Sequence, residues 1–68
     1  MHDQLRNRLR EARARRNLTQ AELATLADVS RKTINTVENG VFIPSTVLAL
    51  RLARALGTSV EALFQLPG

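Results

Sequence analysis

At 68 residues the chain has room for one domain and one core. With no cysteine and a single histidine, His2, it can build neither a disulfide framework nor a zinc cluster, and the longest apolar runs, VFI and VLAL, fall far short of a membrane span. Ten Lys and Arg against six Asp and Glu leave a formal charge of +4, which suits a chain that meets polyanions; with only Phe42 and Phe64 to stack on bases, the expected partner is double-stranded DNA, met in the cytoplasm.

Five helices are predicted, with no repeat, no low-complexity segment and no period-two strand pattern of useful length. Over residues 4 to 16, Leu5, Leu9 and Ala12 recur at i, i+4 and i+7 as an inward stripe on a surface otherwise rich in arginine. Thr19 caps a second helix running to Ala27, Glu22 three positions on completes a capping box, and Leu23 and Ala27 face inward. Ser30 caps a third helix that ends at Asn39, with Gly40 free to take the left-handed conformation that closes helices. Pro44 and Ser45 open a fourth through Leu56, stopped by Gly57. Ser59 caps the last, which carries Glu61 in its first turn and Leu63 and Phe64 on its buried side. Loops this short imply one compact all-α domain over residues 1–68.

On the third helix, at about 100° per residue, Ser30, Ile34 and Val37 point one way while Lys32, Asn35, Thr36 and Asn39 point the other, with Arg31 at the edge. Arg, Lys and Asn are the side chains that match the acceptors of guanine and the donor-acceptor pair of adenine in the major groove. Glu38 falls beside Ile34 at the edge of the core and needs a cation; Arg13 borders the stripe of the first helix. The six arginines from Arg6 to Arg16 read as a solvated face, except that Arg16, just before the amide end of the second helix, is expected to meet a phosphate. Asp3, Glu11, Glu22, Asp28, Glu38 and Glu61 make no glycine-bearing calcium loop and no close carboxylate pair, and no Ser or Thr has a base beside it. No metal, cofactor, small-molecule ligand or catalytic activity is expected. Val41, Phe42, Ile43, Val47, Leu48 and Leu66 exceed what a five-helix core needs. They form either an apolar patch through which a homodimer assembles or, in part, local packing under the loop.

In a frame that starts at Gln20, the apolar positions are Leu23, Ala27, Val29, Ile34 and Val37, with the small Ala24 where two helices must cross closely. Through LTQAELATLADVSRKTINTVENG and onward through PSTVLALRLARALGTSVEALF, the chain resembles the phage-repressor family (Cro-like, xenobiotic-response-element type) over residues 8–66. The resemblance implies a five-helix lambda-repressor-like fold whose helices 2 and 3, residues 20–39, are the helix-turn-helix. It implies base readers at Arg31, Lys32 and Thr36, further contacts at Thr33 and Asn35, and phosphate contacts at Gln20 and Asn39, to which Ser30 and Arg16 are added. It also implies an ion pair between Arg13 and Glu38. Two departures stand out: Asp28 where the family has glycine, and the VFI loop where many relatives carry Lys or Arg near the DNA backbone.

The function so implied is a sequence-specific, double-stranded DNA-binding transcriptional regulator. It is expected to be a repressor that acts as a homodimer on an inverted-repeat operator, its recognition helices about 34 Å apart. The dimer is expected through Phe42, Ile43, Val47, Leu48 and Leu66. The alternative is a protein-interaction module, an antitoxin or adaptor that binds DNA weakly or only in complex. In this family such a reader often forms the amino-terminal part of a longer regulator whose second domain senses a ligand.

Overall fold

The computed structural model describes residues 5–67. His2, Asp3 and residue 4, where the first helix was expected to begin, lie outside the described residues. The elements in chain order are β1 (Arg6–Asn7), α1 (Leu9–Arg15), α2 (Gln20–Ala27), α3 (Arg31–Glu38), α4 (Thr46–Leu56), α5 (Val60–Leu63) and β2 (Phe64–Gln65). Four of the five helices open on a side-chain cap. Thr19, Ser30, Ser45 and Ser59 each accept the backbone N–H three residues on, from Glu22, Thr33, Leu48 and Ala62 respectively. Each bond satisfies an amide donor that the helix itself leaves orphaned. At Thr19 the Glu22 carboxylate returns a bond to the cap's own N–H at 2.8 Å, completing the capping box.

Helix ends are closed with equal economy. Gly57 ends α4 in the left-handed region at φ 66°, and the N–H of Thr58 reaches back to the Ala53 carbonyl at 2.9 Å. Asp28 does the same for α2 at φ 59° and ψ 47°, a conformation that its short polar side chain tolerates better than most. At this turn Asp28 therefore takes the left-handed conformation that glycine favours.

The expected mostly helical domain with five helices is found, with one addition. β1 and β2 pair antiparallel, Arg6 opposite Gln65 and Asn7 opposite Phe64. The first helix is accordingly shorter than expected. Asn7 Oδ1 accepts the Leu9 N–H at 2.9 Å, and its Nδ2 donates to the Val37 carbonyl at the end of α3, so Asn7 is held in β1 and does not continue α1 backward. Leu5 reaches the core from the strand side and is not part of a helical stripe with Leu9. At the other end α5 is a single turn, and Phe64, buried as expected, sits in extended backbone at φ −130°.

α2 packs on both α3 and α4, α4 on α5, and α1 on α3. Leu9, Leu23, Ile34, Val37, Leu52 and Leu63 are fully buried at the centre. Each such side chain contributes about 1.5–3 kcal/mol relative to exposure, an upper figure because the unfolded chain already hides some of this area. Leu48 belongs to this core, at 8% exposed. It is thus withdrawn from the expected dimer patch: as the third residue of α4 it turns inward, into the core. Val41, Phe42, Ile43, Val47 and Leu66 stay exposed, joined by Leu50 on the same helix as Val47. Among the described residues no helix is long and apolar enough to cross a membrane, and no cluster of acidic or His side chains could hold a metal ion.

Candidate nucleic-acid interface

The sequence of α3, RKTINTVE, buries Ile34 and Val37 completely against the core and leaves Arg31, Lys32 and Asn35 exposed. Three cationic or amide side chains therefore share one solvent face of one helix. Thr33 and Thr36 are half-buried, and their hydroxyls are engaged locally: Thr33 Oγ1 lies 2.9 Å from Ser30 Oγ, and Thr36 Oγ1 donates to the Thr33 carbonyl at 3.0 Å. The Ser30 hydroxyl is itself occupied as the cap of α3, accepting from Thr33 N at 3.1 Å.

Beneath this face lies a polar network centred on Glu38, whose side chain is wholly out of solvent. Arg13 Nε donates to Glu38 Oε2 at 2.6 Å and Arg13 Nη2 to Oε1 at 3.2 Å, while Arg13 Nη1 donates to the Leu18 carbonyl at 2.8 Å. The structure thus brings the expected pair together in the two-pronged geometry that suits guanidinium and carboxylate. Gln20 Nε2 adds a donor to Oε1 at 3.1 Å and Arg10 Nε another at 3.3 Å. Arg10 continues outward, its Nη2 donating to Asn39 Oδ1 at 2.8 Å. Gln20 and Asn39, expected at phosphates, are therefore held by the same carboxylate and its cations.

Burial pushes the Glu38 carboxyl up. The hydrogen bonds from Arg13 and Gln20, the charge of Arg13 and the bond from Arg10 together outweigh it, and the group is held below its ordinary value of 4.5. Arg13 is raised, chiefly by its hydrogen bond to Glu38. Because the folded carboxyl titrates lower than the unfolded one, its contribution is complete above the unfolded pKa and is lost as pH falls through the folded value. Melting temperature should therefore drop on acidification below about pH 5. In Glu38→Gln that acid-side slope should be shallower; equal slopes in the two proteins, followed by circular dichroism, would remove Glu38 from the account.

The Arg16 guanidinium lies against Gly57 at the carboxyl end of α4, where a Cβ would stand 3.5 Å from Nη1. Two other cations were missed. Arg10, read as part of a solvated face, anchors Asn39. Arg51, one turn beyond Val47 on α4, lines a groove of about 590 Å³ with Lys32, Thr33, Thr36 and Phe42, so that α4 sets a positive charge beside α3. No signal local to either residue could have found it, because contact with a different helix is what sets each apart.

A profile of the helix-turn-helix family matches residues 9–63 of the chain. The protein belongs to that family, in its Cro-like branch of DNA-binding transcriptional regulators, a class of binding proteins and not of enzymes. The chain is 42% identical over 60 residues, covering 88% of its own length and 91% of the relative's, to the helix-turn-helix-type transcriptional regulator MJ0272 of Methanocaldococcus jannaschii. It is 34% identical over 62 residues to the regulator YgzD of Bacillus subtilis, covering 91% of this chain and 94% of that one. Among solved structures, the restriction-modification controller protein C.AhdI from Aeromonas hydrophila shares 39% identity at a TM-score of 0.77, over 79% of this chain and 82% of that one.

Proposed function

We propose that α2 and α3 are the helix-turn-helix, that α3 enters the major groove of duplex DNA, and that the protein is a sequence-specific transcriptional regulator working as a homodimer on an inverted repeat. The observation that carries this reading is the split of α3, with Ile34 and Val37 sealed in the core and Arg31, Lys32 and Asn35 left together in solvent. A buried side so complete fixes the rotation of the helix, and the groove-facing set follows from it. Arg31, Lys32, Thr33, Asn35 and Thr36 are the base-facing candidates, and Arg31 is assigned to guanine. The backbone-facing set is Arg16, Gln20, Ser30 and Asn39, joined by Arg51.

The exposed Phe42, Ile43, Val47, Leu50 and Leu66 supply the apolar area for a symmetric partner, which would set two α3 helices about one helical turn of DNA apart. Repression by covering a promoter is the simplest action for such a dimer, and the likeness to a restriction-modification controller protein supports a role in transcriptional control. The same exposed apolar residues favour one second reading, a protein-interaction module that binds DNA only in complex.

Selection of bound sequences from random duplexes tests both. The expected result is an inverted repeat whose affinity falls with salt at a log-log slope of roughly −0.9 per neutralised phosphate. A flat salt response with no enriched duplex would leave the interaction module standing.

A further inference from the structure

Asn35 is the one exposed amide on the outward face of α3, and its orientation is set by groups that have no choice of their own. A carboxylate only accepts hydrogen bonds and a guanidinium only donates them. Glu38 Oε1 lies 3.1 Å from the Gln20 amide, so the nitrogen of that amide must be the end that faces it. The second N–H of Gln20 Nε2 then points at Asn35, 3.3 Å away, and what it meets there must be the oxygen, Oδ1.

A separate chain of contacts reaches the same atom. Arg10 Nη2 donates to Asn39 at 2.8 Å, so Asn39 must turn its oxygen to the guanidinium and its nitrogen away. That nitrogen, Nδ2, lies 3.2 Å from Asn35 and also requires Oδ1 there. Two donors, each fixed by a charged group, hold the one carbonyl oxygen of Asn35 inward. The amide NH₂ is left facing solvent.

Resting on the assignment of α3 to the major groove, we propose that Asn35 is a specificity-determining residue that presents donors alone, and that it selects guanine and refuses adenine. An unrestrained Asn pairs with adenine by donating to N7 and accepting from the N6 amino group. Here the acceptor is spent within the protein, and the adenine amino group would meet another donor. Guanine offers N7 and O6, two acceptors side by side, which match the free NH₂. The polar network below α3 thus does more than support the fold: through Arg10, Gln20 and Asn39 it decides which end of Asn35 the DNA meets.

The test is selection from random duplexes with the wild type, Asn35→Ala, and the double variant Arg10→Met with Gln20→Met, followed by titration of the wild-type site carrying 7-deazaguanine. Asn35→Ala should lose its preference at one base pair of each half-site, and that pair should be G·C. Replacing its guanine by 7-deazaguanine should weaken the wild type about tenfold and Asn35→Ala hardly at all. The double variant, with Asn35 free to turn, should accept A·T at that pair; because Gln20 is also a backbone-facing candidate, its affinity should fall for all duplexes alike. An A·T pair at the wild-type position, an unchanged profile in Asn35→Ala, or indifference to 7-deazaguanine overturns the proposal while leaving DNA recognition by α3 intact. If the wild type enriches no duplex at all, it is the parent reading that fails, and this one with it. Should the double variant not fold, the wild type and the exposed Asn35→Ala, titrated with the base analogue, decide alone.

Discussion

Arg13→Ala should cost the fold about 3 kcal/mol, the lower end of what breaking a buried ion pair costs, and should do so with or without DNA. The side chain of Glu38 has no solvent exposure and that of Arg13 only 16%, so water cannot replace the lost partner. Truncation strips Oε2 of its donor at 2.6 Å and leaves the Leu18 carbonyl without the Arg13 Nη1 bond. Arg10 and Gln20 still reach Oε1, which is why the lower end applies. A domain of this length holds roughly 3–10 kcal/mol in all, so the variant should lose a third or more of its stability and melt on the order of 15 °C lower. Replacing both members by methionine should recover much of the loss, because an apolar pair of similar volume avoids the desolvation that the ions suffer. A single variant melting within a degree or two of the wild type would mean that the pair is solvated in practice and structurally idle.

What the sequence revealed of this fold was what local chemistry decides. Thr19, Ser30, Ser45 and Ser59 announce helix starts because a hydroxyl one position before the first turn has orphan amides within its own reach. Gly40 at φ 73° and Gly57 at φ 66° announce ends for an equally local reason. The beginning of α1 is decided elsewhere. Leu5 and Leu9 keep helical spacing, and nothing near them in sequence says that Asn7 will find the Val37 carbonyl thirty residues on, or that Arg6 will lie beside Gln65. Those pairings outbid a helical turn that would have been sound on its own terms, and the same competition leaves Phe64 extended where a longer α5 was expected.

The interface divides along the same line. The exposed and buried sides of α3 follow from a single angular period applied to RKTINTVE, so Arg31, Lys32 and Asn35 could be picked out before any packing was known. Arg10 and Arg51 could not be separated from other surface arginines by their neighbours in sequence, because what distinguishes them is contact with a different helix. Leu48 failed for the complementary reason. An apolar residue near an apolar loop looked like patch until Leu48 closed on the core. Amphipathic period alone ranks residues by face; it does not say which of two exposed cations stands over bases.

Arg31 and Arg51 should separate that last question by experiment, through effects of different kind. Both are exposed, so alanine at either should change stability by no more than about 0.5 kcal/mol, and a loss of binding would reflect the DNA contact itself. Arg31 stands at the first position of α3, where a guanidinium can reach both acceptors of one guanine. Arg31→Ala should weaken the selected operator by about 1–3 kcal/mol per half-site, roughly ten- to a hundredfold, and erase the preference at one base pair of each half. Arg51 reaches the same side from α4, across the groove that Thr36 and Lys32 border, and has the position of a backbone contact. Arg51→Ala should weaken all duplexes nearly alike and reduce the salt slope by about one per subunit, leaving the sequence preference in place. If instead Arg31→Ala weakened random and selected duplexes equally, with the slope reduced and every base preference retained, α3 would be lying along the backbone and not in the groove. The charged end of α3 would then be a steering surface, and sequence reading would have to come from residues outside α3.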